Sequence, residues 1–251
     1  MAGYFAIGDI VFSDLTKNEA AERIIASAKA NKAELVVTPN ATMLHRAFHD
    51  EAFLRLLQGA TMKLADGVGV VYAAKALKVP IQNGKLAGVA LGEALARHAE
   101  AAGVSLYLFG GKKTVADRAA ENLKKAYPAL VVAGCHDGYD FELESLLDEI
   151  GKSQAKIVYC CLGSPLQEEV GQVLSRRLSL PVLCLGGSLD VYAGDLSRAP
   201  RLFQSLSLEW LWRMMREPRR FSDISSLFFF LLDVRRLKKR KKSCNRAKKR
   251  L

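Results

Sequence analysis

Six apolar runs in this chain end in small or oxygen-bearing residues, of types that suit the binding of a phosphorylated ligand. Thr38-Pro39-Asn40 closes one run, Asp66-Gly67 a second, Gly110-Gly111 a third, and Gly134 with Asp137-Gly138-Tyr139 a fourth. Gly163-Ser164-Pro165-Leu166-Gln167-Glu168 and Gly186-Gly187-Ser188-Leu189-Asp190 follow the last two. Glycine pairs let backbone amides approach a phosphate or a ring, and a following helix N-terminus favours an anion. One Gly-Gly pair is more often a tight turn. Six such ends together point to a shared nucleotide pocket. No G-x-G-x-x-G follows the first strand and no G-x-x-x-x-G-K-[ST] occurs anywhere, so dinucleotide and P-loop chemistry lack their fingerprints. There is no Asp-x-Asp, and the four histidines read as no metal-ligand cluster. Neither a metal nor a cofactor is expected.

These residues need a scaffold that gathers strand ends, and the apolar pattern supplies one. Residues 34–38 and 61–65 read as short strands, and the continuous apolar runs at 104–109, 130–133, 157–162 and 182–185 as strands covered on both faces. Helical stretches at 87–102, 114–126, 142–152 and 165–178 separate them, and Thr16-Lys17-Asn18-Glu19 is a capping box opening a helix to about Asn31. Residues 1–14 read as a short strand followed by polar residues. The β-α-β-α rhythm predicts an α/β fold: a Rossmann-like parallel sheet flanked by helices. In such sheets ligands bind beyond the carboxyl ends of the strands, where the six polar turns fall. The expected organisation is a Rossmann-like domain over 1–204, an amphipathic helical appendage over 205–234 and a disordered basic tail over 235–251.

Composition bounds the function. With 251 residues, 50% hydrophobic and 25% charged, the chain is globular and can bury a large core. The net charge of +11 is unevenly placed. Residues 235–251 hold eleven Lys or Arg and no acid, leaving 26 bases in the first 234 residues against 26 acids. A neutral body with a basic peg disfavours a nucleic-acid partner, which would need positive charge on a folded face. Stacking aromatics are also missing near the basic run. Five cysteines without metal-like spacing read as reduced, buried small hydrophobes. No secretory leader and no span of roughly 18 apolar residues is apparent; the longest candidate, 227–232, is flanked by Asp223 and Asp233. Instead Trp210, Leu211, Met214 and Met215, then Phe221, Ile224, Leu227, Phe228 and Leu231, recur at helical spacing beside Arg213, Arg216, Arg219 and Arg220. That pattern predicts an interfacial helix whose basic tail is drawn to an anionic membrane surface. The same stripes could serve a homo-oligomer interface.

The ordered motifs resemble a known family. Thr38-Pro39-Asn40, Ala65-Asp66-Gly67, Phe109-Gly110-Gly111, Gly138-Tyr139 and the Gly163–Glu168 stretch are followed by Gly194…Arg198-Ala199-Pro200 and Leu208-Glu209-Trp210-Leu211…Arg213…Glu217-Pro218-x-Arg220. Together they look like the WecG/TagA/CpsF glycosyltransferases, glycosyltransferase family 26, over roughly residues 6–221. The resemblance implies an inverting, metal-independent transfer of N-acetylmannosamine or a related sugar. The implied donor is a UDP-sugar, and the implied acceptor an undecaprenyl-diphosphate-linked N-acetylglucosamine used in teichoic acid or surface polysaccharide synthesis. It also implies a peripheral location on the cytoplasmic face of a bacterial membrane. A Rossmann-type nucleotide-binding module and a nucleic-acid-binding protein are the rival classes.

Residue roles follow from the same resemblance. Asp66 is the implied base that takes the acceptor proton as the hydroxyl attacks the anomeric carbon. Thr38 and Asn40 would hydrogen-bond sugar or acceptor hydroxyls, and Gln167 would hold the donor. Gly110, Gly111, Gly186, Gly187 and Asp190 are nucleotide-pocket candidates. With no metal, Arg213 and Arg220 would stabilise the departing diphosphate. Four positions depart from the family pattern. Lys85 stands for an arginine and lacks its bidentate fork; Ala90 stands for an aspartate, Leu166 for a lysine and Asp223 for an arginine.

Overall fold

A computed structural model describes residues 3–196 and 221–248, with side chains of the last helix described over 225–241. Arg198-Ala199-Pro200, Trp210, Met214, Met215, Arg213 and Arg220 lie outside the described residues, as does the side chain of Asp223.

The chain opens with a hairpin, β1 (Gly3–Ile7) and β2 (Ile10–Asp14), paired antiparallel with Ile7 opposite Ile10. The expected single short strand is therefore two, folded back at Gly8-Asp9, where Gly8 adopts φ +59°. A Gly-Asp step between strand-forming runs favours such a tight hairpin turn. Helix α1 (Lys17–Lys29) starts on the capping box: the Glu19 N–H donates to Thr16 Oγ1 at 3.2 Å, and the Thr16 N–H donates to Glu19 Oε2 at 2.8 Å.

After it the elements alternate. β3 (Glu34–Val37), α2 (Ala41–His49), α3 (Glu51–Gly59), β4 (Met62–Lys63), α4 (Val68–Ala76), α5 (Gly88–Ala102), β5 (Leu106–Gly110) and α6 (Val115–Ala126) form the first half. β6 (Val132–His136), α7 (Leu143–Ser153), β7 (Ile157–Cys161), α8 (Leu166–Leu178), β8 (Pro181–Cys184) and the short α9 (Ser188–Tyr192) follow. The six strands β3 to β8 pair in parallel in the order β4-β3-β8-β7-β5-β6. This is the expected α/β architecture. β5, β7 and β8 are buried at every residue, which is why their sequences are continuously apolar; β3 is equally buried but opens on Glu34, which pairs with Arg23.

Each sheet face carries its own core. On one, the hairpin, α2, α3, α4, α7, α8 and the final helix α10 (Phe221–Lys248) pack around Phe109, Val158 and Val182. On the other, α1, α5, α6 and α9 pack around Leu106, Tyr159 and Leu183. Cys160, Cys161 and Cys184 lie inside these layers as free thiols, and burial pushes the Cys161 thiol up to about 12. Cys135 is half-buried and also free.

Helix α10 continues through the 234/235 boundary as far as Lys248, so residues 235–248, assigned from sequence to a disordered tail, are helical here. Phe230 and Val234 are almost fully buried, with Leu227 and Leu237 packed beside them, so the helix completes the first core. Burial of each such side chain stabilises by about 1.5–3 kcal/mol. Lys241 Nζ donates to Leu77 O at 2.9 Å, placing a cation on the C-terminal carbonyls of α4. The expected stripe is only partly right: Leu227 packs inward, whereas Phe228 and Leu231 are exposed.

Candidate active site along the strand ends

All six polar turns emerge on one edge, because parallel strands present their carboxyl ends together. In sheet order they are Asp66-Gly67, Thr38-Pro39-Asn40, Gly186–Asp190, Gly163–Gln167, Gly110-Gly111 and Asp137-Gly138. Five strand spacings make this row about 24 Å long. The chain leaves β3 onto one face of the sheet through α2 and leaves β8 onto the other through α9. Such a divergence opens a crevice between the two strand ends.

Backbone and side-chain bonds tie neighbouring turns. The Asp66 N–H donates to Pro39 O at 3.0 Å, and the Leu86 N–H donates to Ala65 O at 2.7 Å. Half-buried Lys85 is thereby held next to the end of β4. Asp66 is half-buried and does not cap α4, since Gly67 occupies that position at φ +83°. A residue with a Cβ is strained there, so glycine lets the chain turn straight from the carboxylate into the helix. Thr38, 8% exposed, points its hydroxyl at Cys184 O across the β3–β8 crevice, 3.4 Å away. Asn40 caps α2, its Oδ1 accepting from the Met43 N–H at 3.0 Å, and remains exposed.

Gln167 is 4% exposed and ties the β7 turn to the β8 turn. Its Oε1 accepts from the Gly186 N–H at 2.9 Å and its Nε2 donates to Glu168 Oε1 at 2.7 Å. Burial raises the pKa of the fully buried Glu168 carboxyl, against the lowering effect of hydrogen bonds from Gln167 and Ser164. Glu168 belongs to a sequence motif, but its burial has no local signature. Gly186, Gly187 and half-buried Asp190 form the β8 turn and the first turn of α9.

At β5 the glycines are required by space. A Cβ on Gly110 would lie 2.3 Å from Cys161 O, and one on Gly111 would lie 2.8 Å from the Val115 side chain. The Gly138 N–H donates to Gly111 O at 2.9 Å, closing the end of the row. Exposed Lys112 and Lys113 follow directly, two cations that nothing in the sequence separates from ordinary solvated surface charge. The row thus offers a carboxylate and hydroxyl at one end, and close backbone with positive charge at the other.

Contrary to the expectation from sequence, two of the histidines join a third polar group in a cluster. His45 and His49, one turn apart on α2, both meet the buried Asp233 carboxylate of α10, at 2.7 Å and 3.0 Å. The i, i+4 histidine spacing was visible in sequence; the third group lies 184 residues further on.

The sequence matches the glycosyl transferase WecG/TagA/CpsF family over residues 5–244. The chain belongs to this family. Two curated relatives carry the name N-acetylglucosaminyldiphosphoundecaprenol N-acetyl-beta-D-mannosaminyltransferase. The protein of Bacillus spizizenii strain W23 is 31% identical over 198 residues, covering 78% of this chain and 77% of the relative. That of Staphylococcus aureus strain MW2 is 29% identical over 206 residues, covering 82% and 81%. The chain is therefore a glycosyltransferase, as the motifs implied. Among the described residues no helix is long and apolar enough to cross a membrane.

Proposed function

We propose that this glycosyltransferase moves N-acetylmannosamine, or a closely related sugar, from a UDP-sugar to an undecaprenyl-diphosphate-linked N-acetylglucosamine. Its product would feed teichoic acid or surface polysaccharide synthesis. The names of the relatives support the sugar and the acceptor. The observation that carries the mechanism is the row itself, with Asp66 and Thr38 at one end of the crevice and the glycine turns at the other.

In this reading the nucleotide lies over the β8, β7 and β5 turns, where backbone N–H groups meet the diphosphate. Asp66 takes the proton of the acceptor hydroxyl as it attacks the anomeric carbon from the face opposite UDP. Thr38 and Asn40 orient that hydroxyl, and Gln167 positions the β8 turn under the donor by holding the Gly186 amide. Lys112 and Lys113 supply positive charge for the leaving diphosphate, together with Arg213 and Arg220, while Lys85 lies beside Asp66 at the acceptor end of the row. Transfer then needs no metal.

The acceptor is embedded in lipid, and one surface suits contact with it. Val68 and Tyr72 on α4 are 41% and 48% exposed, and α10, which packs on α4, exposes Phe228, Phe229 and Leu231. Arg235, Lys238 and Lys239 are exposed on the same helix. Each basic residue near an anionic surface contributes about 1 kcal/mol. The test is UDP release from UDP-N-acetylmannosamine in EDTA, with the polyprenyl-linked acceptor in anionic or in neutral vesicles. Acceptor-dependent release, faster on anionic vesicles, is expected; no release from any UDP-N-acetylhexosamine with that acceptor would overturn the reading.

A further inference from the structure

The group formed by His45, His49 and Asp233 takes no part in the proposed transfer, and its chemistry is that of a metal site. Its three ligand atoms lie within 4.8 Å of one another. His45 Nδ1 is 2.7 Å from Asp233 Oδ2, and His49 Nε2 is 3.0 Å from Oδ1 and 3.1 Å from Oδ2. Two imidazoles at i and i+4 project from one face of α2, and a carboxylate from α10 meets them.

The group is also held in place. The Asp233 side chain is 6% exposed, between the buried Phe230 and Val234, so it cannot swing away without opening the core. The His45 ring stacks on Phe229 with centroids 5.8 Å apart, which fixes its orientation. Arg236 Nη1 lies 3.4 Å from Asp233 Oδ1 and is the one cation on α10 turned to this carboxylate among the described residues. The His49 side chain is 50% exposed and leaves one side open to water. Ligand atoms around a tetrahedral zinc stand about 3.3 Å apart. The 2.7 Å and 3.0 Å separations from Asp233 need to widen by about 0.6 and 0.3 Å, and the two imidazole nitrogens, within 4.8 Å of each other, to close to the same spacing.

We propose that His45, His49 and Asp233 bind a divalent cation of the zinc class, with water as fourth ligand, and so clasp α10 to α2. Two imidazole nitrogens and one carboxylate suit zinc, cobalt or nickel rather than magnesium or calcium. Along α2 these histidines lie about 7.5 and 13.5 Å from Asn40 at the mouth of the crevice. The metal acts on the attachment of α10, leaving the transfer itself metal-independent. This inference rests on neither the donor nor the acceptor assigned above.

The test is a cobalt titration of the full chain, purified without a polyhistidine tag and stripped with EDTA. Visible d–d absorption of four-coordinate strength, saturating at one equivalent and bleached by zinc, is expected. It should appear without the near-ultraviolet charge transfer that a thiolate ligand gives. His49→Gln, at a half-exposed position, should weaken cobalt binding by about 100-fold or more, beyond what loss of an outer-shell partner does. Zinc should raise Tm and slow amide exchange over α10 in the parent chain, and do neither in that variant. A silent titration, thiolate charge transfer, or an unchanged spectrum in His49→Gln would each overturn the site.

Discussion

At the β4–β3 end of the strand-end row the polar atoms belong to side chains, whereas at the β5 end they belong to the backbone. Asp66 and Thr38 could each be replaced by a side chain of similar shape with little effect on packing. Gly110 and Gly111 could not, because neighbouring atoms already fill the space a Cβ would take. The first half can thus be altered in its chemistry without harm to the fold. The second can hardly be altered in chemistry except through the fold.

Four substitutions probe this contrast. Asp66→Asn keeps the shape and removes the base, so kcat should fall by about 10²–10⁴-fold. Circular dichroism and Tm should stay unchanged, and a near-normal kcat would place the base elsewhere. Gly110→Ala should do the reverse. Its Cβ would press on Cys161 O at a φ of +130°, a destabilisation of about 3 kcal/mol, read as a Tm fall of about 6–12 °C.

Gly187→Ala separates space from contact. Gly187 sits at φ −79°, and an added Cβ would meet only Asp190 Oδ2 at 3.5 Å. Stability should hold within about 0.5 kcal/mol, while donor KM rises about 3–10-fold through loss of one backbone contact to phosphate. An unchanged KM would move the diphosphate away from this turn. Glu168→Gln should have the smallest effect, on the shape of the stability–pH curve. A carboxyl whose folded pKa is raised binds its proton more tightly when folded, so stability is lost as pH climbs above the unfolded value near 4.5. The variant should flatten that decline in urea titrations at several pH values; an equal slope in both proteins would show that another group carries it.

Much of this was legible in the residues. Strands buried on both faces leave unbroken apolar runs, and the six turns that end them need glycine or oxygen. The capping box at Thr16 is a local pattern and is readable as such. What escaped detection depends on residues far apart in sequence. The hairpin at 3–14 reads as one short strand because each leg is only five residues long and the second ends in Ser13-Asp14. Asp233 looked like the polar edge of an apolar run, yet it is buried because α2 supplies two imidazoles. Gln167 signalled its importance through its motif, but its bond to Gly186 depends on α8 and β8 meeting in space.

Helix α10 has a further consequence, for the order in which the molecule comes into being. Phe230 and Val234 share a core with Phe5, Ile7 and Ile10, so the hairpin made first must wait for a helix made after every strand of the sheet. Until that helix docks, the outer sides of α2 and α4 stay bare, and His45 and His49 have no Asp233 to meet. The same segment bears the exposed phenylalanines and the basic run. A growing chain therefore acquires its surface for lipid in the same event that seals its interior, and a half-made protein carries neither.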